Sequence, residues 1–117
     1  MQKIFLIMLV LVVQGCAAKP ALYEWGSYED LIYKGYANPD KASPEEHIRK
    51  LEADYQVARS KNKAVPPGYH AQLGVLYFQT GNLEQAEKSF VTEKELFPES
   101  RQFMDRLIDK IKKRRRS

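Results

Sequence analysis

The sequence predicts a small all-α domain, in which one helix–turn–helix repeat is flanked by single helices, following a cleaved signal peptide. Three observations support this prediction. Helix-start signals recur along the chain, apolar residues return every three or four positions, and residues 67–98 have the spacing of a helical repeat. The expected organisation is a signal peptide at 1–15, a lipidated tether at 16–22, and a helical domain with a basic tail at 23–117.

The amino terminus has the features of a lipoprotein leader. Lys3 is followed by an uninterrupted apolar run at 4–13, which as a helix is about 15 Å long and spans about half of a membrane's hydrocarbon core. These proportions are typical of a signal peptide. Residues 13–16, Val-Gln-Gly-Cys, resemble the lipobox of bacterial lipoproteins and predict cleavage between Gly15 and Cys16, with acylation of the Cys16 thiol. The alternative is an ordinary signal peptide whose cysteine lies near the cut by chance.

The predicted location in the cell follows from the lipid on Cys16 and from the residue at position 17. Several acyl chains, at about 0.8 kcal/mol per buried methylene, would hold the protein in a membrane effectively permanently. In lipoproteins of this type, Asp after the acylated cysteine commonly causes retention in the inner membrane, and here that position is Ala17. We therefore expect the inner leaflet of a bacterial outer membrane, facing the periplasm, which makes nucleic acid an unexpected partner.

Two helices are predicted before the repeat. Ser27 has the capping-box form at the start of a short helix that reaches about Ala37, and residues 38–40 form a turn signal. Ser43 followed by Pro44 is a stronger start, for a helix to about Ser60. Its apolar face is formed by Ile48, Leu51, Tyr55 and Ala58.

Residues 67–98 resemble one tetratricopeptide repeat, a helix–turn–helix unit. The matching positions are Leu73, Gly74, Tyr77, Ala86, Phe90 and Pro98. Gly74 and Ala86 are small so that two antiparallel helices approach closely, and Asn82 is placed to cap the second helix, with Gln85 reaching back. His70 and Glu93 depart from the pattern, since they stand where Trp and a small residue are usual.

A last helix is predicted from about Glu99. Its apolar stripe consists of Phe103, Met104, Leu107, Ile108 and Ile111. The basic tail extends it through Lys112, Lys113, Arg114, Arg115 and Arg116. The tail either contacts anionic lipid headgroups or is a solvated, frayed helix end, and both interpretations stay open.

Six short motifs resemble a family of small tetratricopeptide-like bacterial lipoproteins with no assigned function. They are Trp25-Gly26-Ser27-Tyr28, Pro66-Pro67-Gly68, His70-Ala71, Leu73-Gly74, Phe97-Pro98-Glu99-Ser100 and Phe103-Met104. Members tend to be encoded beside two other lipoproteins, one of them like the pore-forming subunit of the curli secretion channel. The resemblance implies a subunit or adaptor of an envelope assembly, and it implies no reaction.

Candidate sites are weighed against simpler interpretations. In a tetratricopeptide repeat the peptide-binding groove positions correspond here to Ala71, Val75, Phe78 and Gln79, together with Gly68. Alternatively the preceding helix covers them, which we favour. The amino-terminal aromatic residues either contact glycan or membrane or else wrap the core; they are Tyr23, Trp25, Tyr28, Tyr33 and Tyr36.

The sequence offers no catalytic constellation, metal cluster or cofactor motif. Its two histidines, His47 and His70, are predicted on different helices, and His70 occupies a packing position of the repeat. The expected function is therefore a non-catalytic protein–protein adaptor in an envelope or secretion assembly, with other envelope lipoproteins as partners. The alternative is an accessory regulator that binds cell-wall glycan or an envelope enzyme.

Overall fold

The computed structural model describes residues 22–37 and 43–117. Cys16, the rest of the leader and tether up to residue 21, and the predicted turn at 38–40 lie outside the described residues. Within these ranges the chain forms five α-helices, a single 3₁₀ turn at Pro98–Ser100, and one isolated β-bridge instead of strands. The helices are α1 (Tyr28–Ala37), α2 (Pro44–Ser60), α3 (Tyr69–Gln79), α4 (Leu83–Leu96) and α5 (Arg101–Arg116). The prediction of a small all-α domain is confirmed.

The amino-terminal segment is tied to the end of α2 and the loop behind it. Tyr23 forms a parallel β-bridge with Ala64, and the Glu24 amide donates to the Ala64 carbonyl at 2.9 Å. Ser27, predicted as a helix cap, instead donates from its amide and its hydroxyl to Asp54 Oδ2, at 2.9 and 2.7 Å. The local pattern could not reveal this because Asp54 is distant in sequence.

Helix α2 begins as predicted. The Ser43 hydroxyl accepts a hydrogen bond from the Glu46 amide at 3.1 Å, and Pro44 occupies the first helical position. The Glu46 carboxylate forms an ion pair with Lys50, one turn ahead, at 3.0 Å. The helix ends at Ser60. Two residues later, Asn62 takes a left-handed conformation with φ of 53°. Asparagine is one of the few non-glycine residues that adopt this conformation readily.

Helices α3 and α4 form the predicted helix–turn–helix. The Asn82 side chain accepts from the Gln85 amide at 3.3 Å and so caps α4. At the helix crossing, a Cβ atom on Gly74 would lie 2.5 Å from Cε1 of Phe90, and Ala86 has no exposed surface. These contacts explain why small residues are needed at both positions, since the phenyl ring fills the space that a side chain on Gly74 would occupy.

The core consists of two clusters that meet at α3. The first joins α1, α2 and α3 and contains Leu31, Leu51, Ala58, Val65, Tyr69, Leu73 and Leu76. The second joins α4 and α5 and contains Ala86, Phe90, Met104, Ile108 and Ile111, against which further α3 side chains pack. Tyr77 packs against both clusters. Helix α3 is therefore the element that unites the two halves of the domain.

Helix α5 buries a narrower face than predicted. Met104, Ile108 and Ile111 are spaced by four and three residues and point into the core. Phe103 was expected in this stripe, but 59% of its surface is exposed, because it lies one residue, or about 100°, away from Met104. Among the helices of the described ranges, none combines the length and the apolarity that crossing a bilayer requires.

Candidate functional site

The two faces of α3 border two cavities of different chemistry. The first, here called the apolar pocket, lies between α3 and α5 and has a volume of about 160 Å³. Its lining residues are Val75, Phe78, Phe90, Leu107 and Lys110. Four of the five are apolar, and the ammonium group of Lys110 is the one charge among them. Such a pocket suits one apolar side chain of a partner.

The structure brings three of the predicted groove positions to this side of α3. Ala71, Val75 and Phe78 pack against the α4–α5 cluster, while Gln79 is exposed at the end of the helix. We favoured a cover formed by the preceding helix, and this expectation is wrong. The preceding helix, α2, packs on the opposite face of α3, about 200° away, since residues 69, 73 and 76 are each two positions before residues 71, 75 and 78. Helix α5 covers this face of α3, and it does so only in part, because the apolar pocket lies between the two helices.

The basic tail contributes to the rim of the apolar pocket. The Arg114 guanidinium lies 4.8 Å from the centroid of the Phe78 ring and donates to the Phe78 carbonyl at 3.3 Å. Arg115 forms an ion pair with Glu87 on α4 at 2.6 Å. The helix continues to Arg116, and its last residues are exposed, so the contact with lipid headgroups and the solvated helix end both stay predictions. The remaining tail cations, Lys112, Lys113 and Arg116, are exposed.

Glu93, a departure from the repeat pattern, has a structural role. It is 2% exposed, and its two carboxylate oxygens accept from the amides of Gly68 at 2.7 Å and Ala71 at 3.3 Å. Gly68 has no side chain with which to cap α3, and the first turn of α3 contains no acidic residue. Glu93 thus supplies, from α4, the anionic acceptor that a helix amino terminus favours. In the sequence, the lack of a capping side chain at Gly68 was the signal that a residue from elsewhere in the chain caps α3.

The second cavity, here called the polar groove, is open to solvent and has a volume of about 700 Å³. Helices α2 and α4 form its walls and α3 forms its floor. The wall residues from α2 are Arg49, Glu52, Ala53, Tyr55 and Gln56, those from α4 are Gln85, Lys88, Ser89 and Thr92, and the floor consists of Tyr69, His70, Leu73 and Tyr77. Sequence reasoning missed this cavity, because its walls are separate helix faces that only folding brings together.

Burial shifts the pKa of three floor residues, raising that of Tyr69 and Tyr77 and lowering that of His70. Burial lowers the pKa of His70, whose ring packs edge-on against Tyr69 with centroids 5.0 Å apart, so the imidazole is neutral at neutral pH. Burial, together with the hydrogen bond that the Tyr77 hydroxyl donates to Glu52, raises the pKa of Tyr77 to about 12. The groove floor therefore contains a neutral imidazole, that of His70, and a protonated phenol, that of Tyr77.

The amino-terminal aromatic residues divide between packing and exposure. Tyr23 packs edge-on against Trp25, Trp25 against Tyr28, and Tyr28 against the buried Tyr69, with ring centroids 6.1 to 6.4 Å apart. Tyr33 is 73% exposed, and the side chain of Tyr36 lies outside the described residues. Of the first three aromatics, Tyr28 packs against the core, whereas Tyr23 and Trp25 reach it only through the ring contacts with Tyr28, and 40% of the surface of Trp25 is exposed. Contact with glycan or membrane stays a prediction for the exposed aromatics.

No group of three or more His, Cys, Asp or Glu side chains within 22–37 and 43–117 has the geometry of a metal site. His47 is buried on α2, apart from His70 on α3. What the arrangement offers chemically is binding, through one apolar pocket and one polar groove on opposite faces of α3.

Comparisons with known proteins give one family and no characterised relative. No curated protein matches the chain, and no solved structure matches it either. The family described as a domain of unknown function (DUF4810) matches residues 22–107, a range that runs from the amino-terminal segment into α5. It includes every lining residue of the polar groove and all those of the apolar pocket except Lys110. Since the match covers most of the chain, this protein belongs to that uncharacterised family, the domain of unknown function DUF4810.

Proposed function

We propose that this protein is a lipid-anchored adaptor of the bacterial outer membrane that faces the periplasm and binds other envelope lipoproteins without catalysing a reaction. The observation that carries the proposal is the apolar pocket between α3 and α5. Its α3 wall is formed by Val75 and Phe78, two of the positions at which a tetratricopeptide repeat binds an extended peptide.

The pocket's surroundings indicate the kind of peptide. Its apolar wall suits a single Leu-, Ile- or Phe-sized side chain, which is the usual anchor of a small interface. Lys110 lines the pocket, Arg114 lies over its Phe78 wall, and Arg106 and Lys113 are exposed on the same helix. This charge favours an acidic residue next to the anchor. The partner segment in this proposal therefore has an apolar residue flanked by Asp or Glu.

The proposed location at the outer membrane rests on the signal peptide at 1–15 and on the tether at 16–22. Acylation of Cys16 would place the domain close to a membrane, because residues 17–21 span at most about 18 Å when extended. Envelope lipoproteins anchored in the same leaflet would then be present at high effective concentration. A lipoprotein like the curli secretion channel subunit, which the family resemblance implies, fits this arrangement.

Site-directed photo-crosslinking in cells tests the adaptor function. A photoreactive amino acid at Lys110, on the pocket, is compared with the same residue at Arg101, which is exposed on the same helix outside the pocket lining. We expect the Lys110 position to give one adduct with an acylated envelope protein, cross-linked at an apolar residue beside Asp or Glu. Val75→Asp should remove the adduct. An adduct that forms equally from the Arg101 position would contradict the proposal, as would no adduct.

Fractionation tests the address separately. Cys16→Ser should abolish acylation and shift the chain out of the outer-membrane fraction. Cross-linking from the photoreactive residue at position 110 can still be measured with the purified Cys16→Ser protein, so binding at the apolar pocket is tested apart from membrane anchoring. Persistence of a processed, membrane-bound Cys16→Ser protein would show that lipid on this sulfur does not hold it.

A further inference from the structure

The polar groove has two walls of the same design. On α2, Arg49, Glu52 and Gln56 are spaced by three and four residues, and on α4, Gln85, Lys88 and Thr92 repeat that spacing. Each set lies along one helix face, so both sets point into the groove. Small residues, Ala53 on one wall and Ser89 on the other, keep the space between the walls open. The volume of about 700 Å³ lies in the usual range of ligand sites.

The hydrogen-bonding groups of the groove match a ligand rich in hydroxyls and amides. Gln56 and Gln85 each carry a carbonyl acceptor and an amide donor. The Thr92 hydroxyl donates to the Lys88 carbonyl at 2.9 Å, so it can accept a hydrogen bond from a ligand. The half-buried His70 on the floor is neutral, so it also has one donor and one acceptor nitrogen. A glycan of acetylated amino sugars presents hydroxyls and acetamido groups that pair with such a mixture. The outer surface of a partner helix offers no such dense array, because its backbone groups are already paired.

The lining of the groove carries two cations and one carboxylate, so its net charge is positive. Arg49 and Lys88 are exposed cations, one on each wall. The one carboxylate in the lining, that of Glu52, accepts a hydrogen bond from the Tyr77 hydroxyl. The hydrogen bond leaves the charge of Glu52 in place, so a carboxylate on the ligand would meet two cations against one anion.

We propose that the polar groove between α2 and α4 is a binding site for a glycan of acetylated amino sugars that carries a carboxylate. The wall spacing, the mixed donors and acceptors, and the two exposed cations support this ligand class. The site lies on the face of α3 opposite the apolar pocket, so a glycan in the groove and a peptide in the pocket would not compete for the same space.

Calorimetric titration of the full-length chain in detergent micelles tests the proposal. The probes are the disaccharide–tetrapeptide unit released from peptidoglycan by a muramidase, which carries carboxylates, and the neutral N,N′-diacetylchitobiose. We expect the charged probe to bind at least about tenfold more tightly than the neutral one, because an ion pair within the groove strengthens only the first complex. No binding of the charged probe, or equal affinities for the two, would overturn the proposal.

Two variant pairs place the binding in the groove. Ala53→Trp fills the space between the walls, and Val57→Trp adds the same ring on α2 at an exposed position outside the lining. Arg49→Glu reverses a groove cation, and Arg101→Glu makes the same charge change on α5. We expect each groove variant to weaken binding by about tenfold or more and each control to change it by less than about twofold. Equal effects within either pair would show that the glycan does not bind between these walls. Circular dichroism of all four variants excludes loss of fold as the cause.

Discussion

The cap that Glu93 provides for α3 leads to a prediction that opposes the repeat pattern. In that pattern a small residue is usual at this position, so Glu93→Ala should be neutral or even stabilising if the pattern alone governs stability. In the structure the buried carboxylate accepts hydrogen bonds from the Gly68 and Ala71 amides, at 2.7 and 3.3 Å. Removing it leaves these two amides without their acceptor at the start of α3.

The size of the effect follows from the two hydrogen bonds. A hydrogen bond to a charged group contributes about 1.5–3 kcal/mol, and the longer of the two should lie at or below the lower end of that range. The better helix propensity of alanine offsets roughly 0.4 kcal/mol of the stability lost with these hydrogen bonds. We therefore expect Glu93→Ala to lower the free energy of unfolding by about 3 kcal/mol. For a domain of this size the melting temperature should fall by roughly 12–24 °C.

Urea unfolding followed by circular dichroism at 222 nm measures this change. Glu93→Gln keeps an uncharged acceptor for the Gly68 amide and should lose only about 1–2 kcal/mol. Glu95→Ala, at an exposed position on the same helix, serves as the control and should stay within about 0.5 kcal/mol of the parent. A stability of Glu93→Ala equal to that of Glu95→Ala would refute the capping role.

Three further predictions concern packing and pH. Gly74→Ala should cost about 1–2 kcal/mol in urea unfolding, because its Cβ would lie 2.5 Å from a ring atom of Phe90; Phe90→Leu added to it should then cost less than it does alone. Burial holds the pKa of His70 in the folded state below its value in the unfolded state, so the unfolded state binds the proton first as the pH falls. The free energy of unfolding should therefore decrease as the pH drops below about 6.5, and His70→Gln should reduce this dependence on pH. The folded pKa of Tyr77 is about 12 and its unfolded value about 10, so stability should decline between these pH values, and less steeply in Tyr77→Phe.

Local patterns predicted the helices well, and the spatial arrangement less well. The Ser43 and Asn82 caps are local features, and the small residues Gly74 and Ala86 belong to one helix–helix contact; the structure has each of them. The capping-box form at Ser27 predicted the helix Tyr28–Ala37 correctly, but the Ser27 hydroxyl donates to Asp54 on another helix, which no local pattern reveals.

The candidate site shows the same limit. The positions of Val75 and Phe78 followed from the repeat spacing, but the helix that covers them did not. Spacing places residues on a face of one helix, and only the packing of helices decides which neighbour that face meets. The polar groove has no contiguous signal at all, since its walls come from helices separated by α3 and its connecting loops.

The attachment of the amino-terminal segment has a mechanical consequence. If Cys16 is acylated, any force between the membrane and the domain enters the fold at residues 22–27. There the chain runs parallel to the loop at Ala64, and hydrogen bonds at Glu24 and Ser27 hold it from the side. A pull along the segment loads these bonds in shear, so they must break together and not one after another. Bonds that must break together resist tension better than bonds that open in sequence, so this junction would oppose a pull from the amino terminus.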